Sequence, residues 1–330
     1  MCRLSGFLPL FVCLRYNRDM ENTIFAGTYT AKTSEGIYRF TCTDGKLSEA
    51  ELFTKIRNPK YITVQDDMIT SLGDFDNGSG VALINSNGSI VSQLAYEERT
   101  SCYVTRKGDR IYTANYHTGT VSLLKEEEGN LKLIRSYQIQ DGAGCHQVLL
   151  WNDKVLVPCL FLDRIVIMDE DLNSIEDSIR FNHGTGPRHG VFTADNQYLY
   201  LVSELSNELF VIHTGDWKIE TSISVLPNGL THQRDTAAIR LSENESHIYV
   251  STRTLNILSV IEVEDHKPTL VQNIFCGGKH PRDFILCGKY LLCANRHSDE
   301  VVSFELEENG TIGDQVSSTH VPEAVSLAME

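Results

Sequence analysis

Gly186-Pro187-Arg188-His189, followed by Tyr198-Leu199-Tyr200-Leu201-Val202-Ser203-Glu204, is the stretch that decides how this chain folds. The phrase returns as His280-Pro281-Arg282-Asp283-Phe284 ahead of Tyr290-Leu291-Leu292-Cys293-Ala294-Asn295-Arg296. Each copy carries an apolar step, a polar turn and an aromatic-rich stretch ending in a polar residue. Aligned on the residue after the Pro-x step, the copies give a column of Tyr61, Tyr103, His146, His189, Ala238, Asp283 and Ala324. Its intervals are 42, 43, 43, 49, 45 and 41 residues. A second column, 13 to 15 residues further on, reads Asp74, Tyr116, Leu160, Glu204, Arg253 and Arg296, and Thr28 supplies its N-terminal member. A period of this size in β-type sequence means propeller blades of four antiparallel strands.

The two ends of the chain complement each other. Residues 23-28, 36-41 and 47-55 read as three strands, and Val321 to Leu327 reads as one. Pairing them completes a seventh blade and removes an open sheet edge. The expected fold is all-β: a seven-bladed propeller over residues 21-330, its ring closed by a C-terminal strand beside three N-terminal strands. Within 191-213, the turns Ala194 to Gln197 and Glu204 to Asn207 separate three strands. Asp44-Gly45, Asn87-Gly88, Glu128-Gly129 and Asn309-Gly310 are hairpin signals. No stretch sustains helical periodicity over three turns.

The chain's formal charge of -15 argues against nonspecific nucleic-acid or anionic-membrane binding, since both need a basic surface. Nine cysteines without framework spacing suit a reducing cytoplasm. No CxxC pair, zinc spacing, Walker loop, Rossmann fingerprint or HExxH motif occurs, so neither metal nor cofactor is expected. Residues 1-20 stand outside the repeat. Gly6 to Leu14 is a short apolar run followed by Arg15-Tyr16-Asn17-Arg18-Asp19, without a cleavage site and too short to span a bilayer. This segment reads as an extension that is disordered or not native.

A propeller gathers equivalent positions of every blade around one axis, so His, Arg and Glu from distant repeats are expected to meet there. His189 is expected beneath Arg188, on the opposite strand face. Cys145, beside His146, is a weaker nucleophile candidate. Asn115 and Asn295 read either as hydroxyl-binding groups or as turn fasteners.

At Ala26-Gly27-Thr28-Tyr29-Thr30, Asn58-Pro59-Lys60-Tyr61, Ala114-Asn115-Tyr116, Gly186-Pro187-Arg188-His189, Ser203-Glu204-Leu205-Ser206, Ala237-Ala238-Ile239-Arg240-Leu241-Ser242 and Pro281-Arg282-Asp283-Phe284, the chain resembles the lactonase family of seven-bladed propellers. That family includes the propeller-type 6-phosphogluconolactonases and a carboxy-muconate cycloisomerase, and the resemblance runs from about 22 to 328. It implies an axial active site with His146, Arg188, Glu204 and Arg253 as the catalytic set. Departures from the family pattern fall at Gly144, Cys159, Ala238 and Thr252.

Opening a lactone needs water attack on a carbonyl, stabilisation of the oxyanion and a proton for the leaving alkoxide. His146 suits the proton transfers, Arg188 the oxyanion, and Glu204 the orientation of Arg188 or of water. Arg253, Arg282 and Arg296 suit a phosphate or sugar carboxylate, and Asp74, Asn115 and Tyr116 sugar hydroxyls. The expectation is a hydrolase of an anionic small-molecule lactone, with 6-phosphogluconolactone of the pentose phosphate pathway as leading substrate. A cycloisomerase or a noncatalytic propeller that binds protein or glycan are the alternatives, although the chain lacks the Gly-His and Trp-Asp signature of WD repeats.

Overall fold

The computed structural model of the protein describes residues 21–231 and 233–330. The extension expected over residues 1-20 lies outside them. Seven antiparallel sheets follow one another around a ring. In chain order the blades span 62–97, 103–138, 149–180, 187–224, 236–275 and 281–320, numbered one to six here. Blade seven joins Asn22–Thr28, Gly36–Thr43, Lys46–Leu47 and Glu51–Lys55 to the closing strand Ala324–Met329. The expected third N-terminal strand is divided, both pieces pairing with Gly36–Thr43. The closing strand pairs with Asn22–Thr28 in the register Ala26 to Leu327. One short 3-10 turn, Leu160–Leu162, interrupts the β structure.

The blades stand together because both faces of their middle strands are apolar. Each neighbouring pair of blades shares one cluster of buried side chains, giving seven clusters among the described residues. Phe284, Leu291 and Cys293 of blade six pack on Tyr249, Leu258 and Val260 of blade five, for example. The first strands of blades four, five and six touch in succession, as do those of blades one and two, and in blade seven the closing strand takes this place against the first strands of blades six and one. A repeat of this kind cannot bury its sheet faces alone, so the ring stands or falls as a unit. Truncation after His320 would leave Asn22–Thr28 as an open edge and strip Val321, Ala324 and Leu327 from the cluster between blades six and seven. We expect that variant to lose its single cooperative thermal transition while keeping a β-type far-UV circular dichroism spectrum. An unchanged melting temperature would show the closing strand to be dispensable.

Innermost strands are irregular where the site forms. The register shifts between Pro187 and His189, between Thr236 and Ile239, and between Pro281 and Asp283. Each bulge breaks the alternation of side chains and re-aims the residue inside it. In blade three the inner strand is only Leu149–Trp151, and the segment before it turns at Gly144, whose φ of 71° favours glycine. A Cβ there would also meet the Phe161 ring at 2.9 Å. This local demand accounts for glycine at that departure from the family pattern.

Candidate active site

The first column gathers on the axis as the repeat requires. The rings of Tyr61 and Tyr103 lie 4.3 Å apart, His189 stands edge-on to both, and His146 lies 5.0 Å from His189. Arg240 pairs with Asp283 at 2.7 Å, and Asp283 also accepts the Leu327 amide of the closing strand. The His189 side chain therefore turns to the axis. The expected flip to the opposite face does not occur, because the bulge at Arg188 breaks the strand's alternation.

Above this floor is a cavity of roughly 230 Å³, lined by Tyr29, Lys60, Thr100, Cys102, Tyr116, His117, His146, Glu204, Arg253 and Arg282. His146 is buried and bonds its Nδ1 to His189 Nε2 at 3.1 Å. Burial, with Arg188, His189, Arg282 and Arg253 nearby, holds its imidazole well below the usual histidine range. His189 is held down in the same way, by burial first and then by Arg188, Arg240 and Arg282. Both rings are thus neutral at pH 7. Glu204 sits between two guanidiniums, accepting Arg188 Nε on Oε2 at 2.7 Å and meeting Arg253 with Oε1 at 3.0 Å. Arg253 also bonds the Asp235 carbonyl and carboxylate.

Arg188 differs from its expected position at the carbonyl oxygen. It lies beneath the cavity, 1% exposed, with one further N–H donated to the Ala237 carbonyl. It lines instead a narrow crevice with His146, His189 and Arg282. Burial lowers its guanidinium to about 10, so it remains a cation at neutral pH. Its geometry is that of a group orienting Glu204.

Asn115 and Asp74 are not in this cavity. Asn115 is buried and its amide is saturated: Nδ2 donates to Glu97 and the Arg99 carbonyl, while Oδ1 accepts the His117 and Thr118 amides. It fastens the turn that carries Tyr116. Asp74 lines a neighbouring cavity of roughly 340 Å³ that shares Lys60, Thr100 and His117 with the first. Its carboxylate is already held by Asn58, Ser79 and Thr100. Tyr116 does stand in the axial wall, edge-on to His146 and Phe161. Arg296 covers the face of Tyr29, its Cζ 4.1 Å from the ring centroid.

Cys145 is fully buried in the cluster between blades two and three, its sulfur 3.9 Å from that of Cys159. Contact with Cys159, then burial, pushes its thiol well above the usual range. Cys102 is the thiol in the cavity, and burial pushes it up to about 12 despite Arg282, Arg188 and Lys60. Neither is a ready thiolate. Among the described residues no group of three or more His, Cys, Asp or Glu side chains is arranged to hold a metal ion. No described helix is long and apolar enough to cross a membrane.

Sequence reasoning missed Tyr29, Lys60, Thr100, Cys102 and His117. A signal for two of them lay one residue ahead of the first column, where the repeats carry Lys60, Cys102, Arg188 and Arg282. Tyr29 follows Thr28 directly in the first repeat phrase.

The ring of seven blades brings histidine, arginine and glutamate together in one axial cavity. The chain belongs to the seven-bladed β-propeller lactonase family, whose model matches residues 23–329. A similar sequence is a 6-phosphogluconolactonase of Bacillus subtilis, 27% identical, with 92% of this chain and 97% of the relative covered. An uncharacterized protein of Staphylococcus saprophyticus is 28% identical over 85% of this chain and 90% of its own length. Among solved structures, a Lactobacillus plantarum protein superposes with a TM-score of 0.87 at 27% identity, covering 94% of this chain and all of that one. The periplasmic gluconolactonase of Pseudomonas aeruginosa shares the fold, with a TM-score of 0.82 at 21% identity over 94% of this chain and 99% of that one.

Proposed function

We propose that the protein hydrolyses an anionic sugar lactone, with 6-phosphogluconolactone as the leading substrate. The observation that carries this reading is the convergence of neutral His146 with Glu204, Arg253 and Arg282 in one cavity. Lys60, Arg253 and Arg282 line that cavity in a chain of formal charge -15, so the site draws anions into an otherwise acidic molecule. The Bacillus subtilis relative supports the phosphosugar choice by its name.

In this reading His146 donates from Nδ1 to His189, which leaves Nε2 as the free base. Nε2 takes a proton from water as the water oxygen bonds to the lactone carbonyl carbon. Arg253 offers N–H groups to the oxyanion, and Glu204 with Arg188 beneath it fixes the Arg253 fork. When the acyl C–O bond breaks, His146 returns its proton to the leaving alkoxide. Tyr116 walls the cavity beside the base. The reaction would serve the pentose phosphate pathway in the cytoplasm, a compartment that keeps free thiols reduced.

The test is the decay of freshly generated 6-phosphogluconolactone with and without protein, beside His146→Gln. We expect acceleration by the native protein and a loss of about 10²–10⁴-fold in the variant. No acceleration of this or any other sugar lactone would sink the hydrolase reading. A lactone formed from a carboxylated diene would replace it with the cycloisomerase.

A further inference from the structure

The cations around the cavity fall into two groups. Arg188 and Arg253 are matched by Glu204, and Arg253 also by Asp235. Lys60, Arg282 and Arg296 have no carboxylate within ion-pair distance among the described residues; Asp283 beside Arg282 is paired with Arg240 instead. Glu204 and Asp283 act on Arg282, and Glu323 on Arg296, only through space.

All three unmatched cations surround the Tyr29 ring. Arg296 lies 4.1 Å and Arg282 5.5 Å from its centroid, with Lys60 Nζ at 5.8 Å. The Tyr29 hydroxyl has no hydrogen-bond partner among the described residues. Arg282 foremost, with Lys60 and Arg296, lowers that phenol despite its burial. The aromatic face holds like charges together that would otherwise repel, without neutralising them.

We propose that Lys60, Arg282 and Arg296, ordered on the Tyr29 ring, form the seat of a phosphate monoester carried by the substrate, with the Tyr29 hydroxyl as a further donor. The inference rests on the anionic-lactone reading of this cavity and specifies the anion. Three unmatched positive charges suit a phosphate dianion better than a carboxylate, which would leave two uncompensated. Arg253, already offset by Glu204 and Asp235, is left to face the uncharged carbonyl, while Arg188 holds Glu204 from beneath. Lys60 and Tyr29, which carry no role in the lactone chemistry above, become specificity-determining residues.

Isothermal titration of the full chain with 6-phosphogluconate, gluconate and inorganic phosphate tests this. The native protein should bind 6-phosphogluconate more tightly than gluconate, and inorganic phosphate should compete with it. Arg296→Ala and Lys60→Ala, both at partly exposed positions, should weaken 6-phosphogluconate by about tenfold or more and gluconate by less than about twofold. Equal affinity for the two acids, or undiminished 6-phosphogluconate binding in both variants, overturns the seat. Phosphate binding that needs Arg296 in a protein that opens no lactone keeps the seat and removes the hydrolase. Lactone hydrolysis with one KM for 6-phosphogluconolactone in native protein and Arg296→Ala keeps the hydrolase and removes the seat.

Discussion

Arg188→Ala is expected to lower both the stability and the turnover of the protein severely. The guanidinium is almost fully buried and holds Glu204 Oε2 on one side and the Ala237 carbonyl on the other. Removing one partner of a buried ion pair costs about 3–5 kcal/mol, because the other charge is left uncompensated. Glu204 would keep Arg253 alone and would no longer be held from below. The fork of Arg253 then loses its fixed orientation, and kcat should fall by about 10²–10³-fold. Since Arg188 does not line the upper cavity, KM should move only a few-fold, which separates loss of positioning from loss of substrate contact. Arg188→Lys restores the charge without the planar fork and should recover part of the melting temperature but little of kcat. A melting temperature and kcat both unchanged in Arg188→Ala would remove Arg188 from the site.

Acidification from pH 7 to pH 5 should destabilise the protein well before its carboxylates titrate. His146 and His189 are buried together and held well below the usual 6.5, by burial first and then by Arg188, Arg253, Arg282 and Arg240 around them. Tyr61, Tyr103 and Tyr116 complete their surroundings and stay neutral in this range. Below pH 6.5 the unfolded chain binds a proton at each histidine and the folded chain does not, so stability rises with pH through this window and is lost as pH falls. Each pH unit below 6.5 removes about 1.4 kcal/mol per histidine, until the folded-state value is reached. Denaturant midpoints from pH 7.5 to pH 5 should decline in the native protein and less steeply in His189→Gln. Ring-proton NMR should show both histidines still neutral at pH 6, where an ordinary imidazole is mostly protonated. Protonated rings at pH 6, or a flat profile, would contradict the assignment. The same neutrality means that the acid limb of kcat lies well below 6.5, because His146 remains a base there.

Much of the architecture was legible because it is written as period and alternation. The intervals between Tyr61 and Ala324 reproduce the blade pitch, and the complementary ends at 23-28 and 324–329 form the closing pair. The third N-terminal strand reads as one piece although 48–50 lie outside both of its segments, since pattern alone does not mark such a break. The expected meeting of His146, Arg188, Glu204 and Arg253 holds for His146, Glu204 and Arg253 in the cavity, with Arg188 beneath it. Sequence reading failed for Asn115 and Asp74, whose polar atoms are used up by neighbouring turns. No column shows which hydrogen bonds a side chain has already made.

Repeat period, hydrophobic alternation and turn residues are local properties of a chain, and by themselves they determined seven blades, their order and the closure of the ring. Three features were decided only by the tertiary structure. Bulges at Arg188 and Arg282 change which way a side chain points, and they depend on pairing with the next strand. The division of cations between Glu204 and the Tyr29 ring depends on distances across the axis between blades far apart in sequence. The neutrality of His146 is a matter of desolvation and surrounding charge, which exist only once the ring has closed around it.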